Sequence, residues 1–254
     1  MTNEYGEELG IRSYAEVALS HLQKTLDKNA DLLKKIANQL VSNVEAGQSL
    51  FIFGGGHSAL LPLEVYHRAG GPSFLIPLVL DSLLPHSGPP LVRLMEKQID
   101  LARIMLNRAE PREGEMIWIA SQSGINPLSV EFALEAKARR LQTIAFTSVE
   151  HSQQVESRHA SKKKLFEVCD QVVDLGGFTG DAAVPVTESI RIGPLSTLTS
   201  IFLAHSVLTT ALGLLERKGV RCTYTSVNTP EGESRNSALE KKAGMRDPLL
   251  KGIR

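Results

Sequence analysis

Cysteine is nearly absent from this 254-residue chain: Cys169 and Cys222 are the only two, more than fifty positions apart. That number excludes a disulfide framework, and the spacing excludes a Cys-x-x-Cys metal or redox motif. Two reduced thiols in a reducing compartment are expected. Net charge is missing as well, with 28 Lys+Arg against 28 Asp+Glu. The chain as a whole therefore exerts no electrostatic pull on nucleic acid or an anionic membrane. No uninterrupted apolar run approaches the ~18 residues of a membrane span. The first eleven residues are acidic and polar, unlike the apolar stretch of a signal peptide. A cytoplasmic protein that engages neither nucleic acid nor membrane is expected.

What is present is a regular alternation of short apolar runs and helical periods. Leu22, Leu26, Leu32, Leu33, Ile36, Leu40 and Val44 recur at spacings of three, four and seven within residues 14–44. That pattern predicts an amphipathic helix, long enough to break near Asn29. Five runs, at 49–53, 74–80, 116–120, 143–147 and 171–175, read as strands buried on both faces. Pro77 places the second at a sheet edge. Helices are expected at 59–69, 91–108 and 127–140, the last with Pro127 at its first position. The stretch 194–217 is apolar on most sides and needs cover on several faces. Residues 176–180 read as a glycine loop, and the last thirty residues are polar.

This order predicts an α/β protein with a doubly wound, five-stranded parallel sheet flanked by helices. Ligands bind such sheets at the carboxyl ends of strands, where the strand order reverses. Two motifs lie at strand ends. In Phe53-Gly54-Gly55-Gly56-His57-Ser58, three glycines separate a strand from a helix, allowing close approach of a ligand to a helix start that favours anions. No glycine stands three residues after Gly56, so this is not a dinucleotide fingerprint, and the Lys-Ser/Thr ending of a P-loop is absent. In Ser121-Gln122-Ser123-Gly124-Ile125-Asn126, hydroxyls and amides suit a phosphate. Neither turn contains Arg or Lys, which implies recognition by hydroxyls and amides alone.

Together with Ser196-Thr197 at the start of the last long helix, these turns resemble the sugar isomerase (SIS) domain family. The stretch 53–71, FGGGHSALLPLEVYHRAGG, resembles a stand-alone bacterial branch related to phosphoheptose isomerase, as do residues 156–170 and the loop Gly180-Asp181-Ala182. The resemblance implies a single SIS domain of flavodoxin-like, three-layer form. Residues 1–47 would be N-terminal helices, 48–218 the α/β core and 219–254 a polar tail. It further implies homodimers, a sugar phosphate as ligand, and no organic cofactor. Some phosphoheptose isomerases resemble metalloenzymes, but their His-rich helix is only partly matched here, so no metal ligands are assigned. Gly55, Gly56, Ser58, Ser121, Ser123, Asn126, Ser196 and Thr197 are the implied binding residues.

Aldose–ketose isomerisation through an enediol needs a base beside the ligand. Glu64, six residues after Ser58, is the expected base, with His57 and His86 assisting. His205 reads as a core histidine and His67 as packing. Asp181 either contacts a ligand hydroxyl or caps a turn. A non-catalytic sugar-phosphate sensor and a sugar-phosphate etherase or lyase are the alternatives to an isomerase.

Overall fold

The computed structural model describes residues 12–250; the acidic stretch 1–11 lies outside them. The amphipathic pattern becomes one unbroken helix, α1 (Arg12–Glu45). The expected break at Asn29 does not occur, because this residue is a buried anchor. Its Nδ2 donates to the Thr25 carbonyl at 2.7 Å and to the Asp174 carbonyl at 2.9 Å. Its Oδ1 accepts the Asp174 amide at 3.0 Å. A polar residue inside a helix is tolerated when every group it buries is paired.

The five apolar runs form one parallel sheet in the order β2-β1-β3-β4-β5. Its strands are β1 (Leu50–Gly54), β2 (Leu75–Leu78), β3 (Met116–Ala120), β4 (Gln142–Thr147) and β5 (Gln171–Asp174). Pro77 does lie on an edge strand, where its missing N–H costs no interior ladder bond. Alternation splits each strand between two cores. Leu50, Ile52, Trp118 and Phe146 pack with α1 and with α8 (Ser196–Arg217). Phe51, Phe53, Ile117 and Ala145 face α4 (Asp100–Ala109) and α5 (Pro127–Ala138). Three layers result, as expected for a doubly wound sheet.

Several helices depart from their sequence patterns. After a short 3₁₀ turn at Gly56–Ala59, α2 covers only Leu60–Val65. Tyr66 is extended and His67 adopts φ 43°, which ends the helix. The 91–108 pattern divides into α3 (Pro89–Met95) and α4, interrupted over residues 96–99. Two short helices, α6 (Val149–Gln154) and α7 (Leu165–Val168), connect β4 to β5. Beyond the glycine loop lies an antiparallel hairpin of β6 (Ala182–Pro185) and β7 (Arg191–Pro194), which sequence patterning does not reveal.

By length and composition α8 is apolar enough to cross a membrane, contrary to the reading from uninterrupted runs. Half of its apolar window is buried in this fold, beneath α1 and the sheet. The polar tail contains α9 (Gly232–Ala243) and is tied down by buried groups. Asp247 accepts from the Tyr66 hydroxyl at 2.8 Å, and Arg246 pairs with the fully buried Glu115 at 2.9 Å. His67 packs against the Tyr224 ring, but from an exposed position where it also pairs with Glu240 at 2.8 Å.

Candidate functional site

The strand order reverses between β1 and β3, and a cavity of about 880 Å³ opens at the carboxyl ends of those two strands. Both glycine- and serine-containing turns line it, through Gly55, Gly56, His57 and Ser58 on one side and Ser121, Gln122, Ser123 and Asn126 on the other. Ser196 and Thr197 reach it from the start of α8, and Gly180 to Ala182 and Arg191 to Pro194 close it from the hairpin. Nine of the eleven binding and catalytic residues read from the sequence line this cavity, and Glu64 and His86 do not.

The glycine turn has separate steric demands. A Cβ on Gly54 would come within 2.2 Å of the Ser58 carbonyl oxygen, and Gly56 has φ +58°. The serine turn is held from behind. The Ser121 Oγ accepts the Gly124 amide at 3.2 Å, and the Gln122 carbonyl accepts the Ser148 amide at 3.0 Å. The side chains of Ser58, Ser123 and Thr197 have no hydrogen-bond partner among the described residues, nor do the Gln122 and Ser123 amides. Free donors in one cavity at strand ends suit an anion.

Besides Ser121, two further assigned side chains are already committed. The Ser196 hydroxyl donates to Asp181 Oδ2 at 2.6 Å. Asp181 Oδ1 accepts the amides of Leu195 and Ser196 at 3.2 and 2.8 Å. Asp181 therefore caps the start of α8, one of the two roles left open by the sequence, and it also lines the cavity. Asn126 is engaged by Arg158, whose Nη1 donates to its Oδ1 at 3.1 Å.

Positive charge reaches the site from outside both turns. Arg93 of α3 and Arg191 of β7 line the cavity. Arg191 is held by the Ala182 carbonyl at 3.0 Å and lies 4.6 Å over the Phe178 ring. The cavity lining is thus not confined to hydroxyls and amides.

The cavity carboxylate that sequence patterning missed is Glu96. It ends α3, in the interruption before α4, and a Cβ on Gly55 would lie 3.2 Å from its Oε1. Burial raises its pKa above the ordinary carboxylate value, against a hydrogen bond from Asn126 and the charge of Arg158, which lower it. A raised carboxyl in a polar cleft is the profile of a general base or acid. The signal was faint: the polar run Glu96-Lys97-Gln98 interrupts the apolar period of the expected helix. His151 also lines the cavity, and its Nδ1 is buried without a partner among the described residues.

Glu64 is half-exposed on α2, ion-paired with Arg68 and 3.6 Å from the His205 ring. His205 is not the core histidine expected, being half-exposed; burial lowers its pKa, with Arg68 adding to the effect. His86 is exposed in the 3₁₀ turn Pro85–Ser87, next to a lining residue, Pro85. Among the described residues no group of three or more His, Cys, Asp or Glu side chains is placed to hold a metal ion.

A family model described as the SIS domain matches residues 13–148, from the start of α1 to the end of β4. The chain belongs to the SIS domain family. Its SIS relatives include a UPF0309 protein of Shouchella clausii, 32% identical over 235 residues, covering 91% of this chain and 96% of the relative. A UPF0309 protein of Geobacillus thermodenitrificans is 33% identical over 242 residues, covering 94% and 97%. Solved structures sharing the SIS fold include phosphoheptose isomerases of Francisella tularensis and Neisseria gonorrhoeae. Their TM-scores are 0.52 and 0.53, at 15% and 14% identity, covering 80% and 79% of this chain and 96% and 95% of theirs. At that identity the likeness is one of fold. The model match includes α1, so the long N-terminal helix is part of the SIS unit.

Proposed function

We propose that this SIS protein binds a sugar phosphate in the cavity between β1 and β3 and interconverts its aldose and ketose forms through an enediol. The observation that carries the reading is the convergence of unpartnered hydroxyls with a half-buried carboxyl, Glu96, in one cleft. The Ser123 and Ser58 hydroxyls and the Gln122 and Ser123 amides meet the phosphate, with Arg93 and Arg191 supplying charge. Glu96 removes the proton from the carbon beside the carbonyl and returns it to the neighbouring carbon, while His57 exchanges a proton with the sugar oxygens. Both names of the fold relatives, phosphoheptose isomerases, fit this class of chemistry. A sensor that binds the same ligand without turnover is the second reading, since fold does not settle activity.

The binding half is tested by thermal shift. Sugar phosphates are expected to raise the melting temperature and the corresponding free sugars are not, because the donors described suit an anion. Equal shifts from glucose and glucose 6-phosphate would sink it. Ser123→Ala is expected to weaken phosphate-dependent binding by roughly tenfold, the loss of one hydrogen bond to a charged group. The catalytic half is tested by solvent-deuterium exchange into a panel of aldose and ketose phosphates. Binding without exchange transfers the protein to the sensor reading.

The reading keeps a cytoplasmic homodimer that uses no organic cofactor. Leu19 on α1, Leu198 on α8 and Ile192 on β7 are large apolar side chains left exposed at 68%, 40% and 49%. A two-fold contact between copies would cover them. Sedimentation at micromolar concentration is expected to give a dimer, and a monomer there refutes this part.

A further inference from the structure

The short helix α6 is pinned at both ends. At its start the fully buried Ser148 donates its amide to the Gln122 carbonyl at 3.0 Å, and its Oγ accepts the His151 amide at 3.2 Å. The Val149 amide donates to Asp174 Oδ1 at 3.1 Å, and the Ser152 amide to the Ser148 carbonyl at 3.0 Å. At the other end the Gln154 side chain accepts from the Thr179 hydroxyl of the glycine loop. His151 therefore lines the cavity from a mount fixed to β5, to the serine turn and to the glycine loop.

The ring itself is committed to no protein group. Its Nδ1 is buried, out of reach of water, and has no hydrogen-bond partner among the described residues. Its Nε2 has no partner there either, but it is not buried. His67 and His159 each meet a carboxylate at 2.8 Å; His151 meets none among the described residues. The two carboxyls that line the cavity are engaged elsewhere. Asp181 accepts amides at the start of α8, and Glu96 stands beside Gly55. Donor counting then places the ring proton. An imidazole with one proton offers one donor and one acceptor nitrogen. An N–H buried without an acceptor is the rarer orphan in folded chains, so the proton belongs on Nε2, where a ligand can accept it. The phosphate already has the hydroxyls and amides of two turns, with Arg93 and Arg191 for charge. His151 comes from a third element and adds one directional donor, which suits an uncharged oxygen.

We propose that His151 reads the sugar, donating from Nε2 to a hydroxyl or carbonyl oxygen of the ligand's carbohydrate part and not to its phosphate. This rests on the reading of the cavity as a sugar-phosphate site. One test needs no ligand. In protein carrying ¹⁵N-labelled histidine, at mildly alkaline pH where an imidazole holds a single proton, the His151 ring is expected to show a protonated Nε2 and a bare Nδ1. Its resonances are assigned by their disappearance in His151→Gln. The second test uses side-chain shape: Gln brings an amide nitrogen to about the place of Nε2, and Asn to about that of Nδ1. His151→Gln is expected to keep most of the thermal stabilisation by aldose and ketose phosphates. His151→Asn and His151→Ala should weaken that binding by roughly three- to tenfold, the loss of one neutral hydrogen bond. Stabilisation by inorganic phosphate alone should be the same in wild type and in every variant. A proton on Nδ1 overturns the proposal, as do Gln and Asn variants that behave alike, an Ala variant that binds as wild type, or a weakened response to inorganic phosphate. The functional reading fails in wild type itself: no stabilisation by any sugar phosphate removes that reading and this one together. Stabilisation without proton exchange removes the isomerase alone and leaves His151 in its role.

Discussion

Glu96→Gln is expected to lower solvent-deuterium exchange into a bound sugar phosphate by roughly 10²–10⁴-fold, the usual share of a general base. Phosphate-dependent thermal stabilisation should survive. Gln is the same size as Glu, so the packing is kept while the basic carboxylate is lost. The pH dependence of exchange carries a sign. Burial raises the Glu96 pKa, and the base is active only when ionised, so exchange is lost as the pH falls through that raised value. Stability moves the other way. A carboxyl whose pKa is raised by folding binds its proton more tightly in the folded state. Stability therefore declines as the pH climbs from the unfolded value to the folded one. Glu96→Gln removes that penalty, so its melting temperature should exceed that of wild type at neutral pH and match it in acid. Glu64→Gln serves as the control. Glu64 stands outside the cavity with Arg68 and His205, so exchange should remain close to wild type. The opposite pair of results, loss in Glu64→Gln and none in Glu96→Gln, would move the base to the Glu64–His205 pair.

The largest expected effect on stability comes from Asp174, at the carboxyl end of β5. Its Oδ1 accepts the Val149 amide at 3.1 Å and the Gly176 amide at 2.9 Å, and its Oδ2 accepts Lys28 Nζ at 2.6 Å. One side chain thus joins α1, the start of α6 and the glycine loop that leads to the cavity. Asp174→Ala leaves two backbone donors without their acceptor, at a cost of about 1–3 kcal/mol each. For a chain of this size that corresponds to a fall in Tm of roughly 5–15 °C. Asp174→Asn keeps one acceptor oxygen and should fall between the two. Burial alone would push the Asp174 pKa up, but the Lys28 contact and the Gly176 and Val149 amides outweigh it and hold the carboxyl below its ordinary value. A depressed carboxyl stabilises the folded state above its unfolded pKa and loses that contribution as the pH falls through the folded one. Wild type should therefore lose stability more steeply in acid than Asp174→Ala, and parallel acid limbs would refute this assignment.

The strands and the two turns were legible because their signals are local. Residues 116–120 and 50–53 are apolar without period because both faces of a central parallel strand are covered, and Pro77 marks an edge whatever lies elsewhere. Gly54 and Gly56 report steric limits set within five residues of themselves. The long reach of α1 was not legible at Asn29, since the partner that makes a polar residue acceptable there stands 145 positions away. The hairpin β6–β7 was hidden for a similar reason: its strands are short, and Arg191 and Asp181 are held by contacts that appear only once the chain has folded back. The site shows the same division. Sequence alone placed a glycine turn and a serine turn at the ends of β1 and β3, where both line one cavity, because glycine and serine chemistry at a strand end is a property of a few consecutive residues. Which carboxyl shares the cavity with them was decided by tertiary structure. The interruption between α3 and α4 carries Glu96 to Gly55, and the loop anchored by His159 brings Arg158 to Asn126. A carboxyl becomes a base through burial and neighbours, and both are supplied by residues remote in the chain.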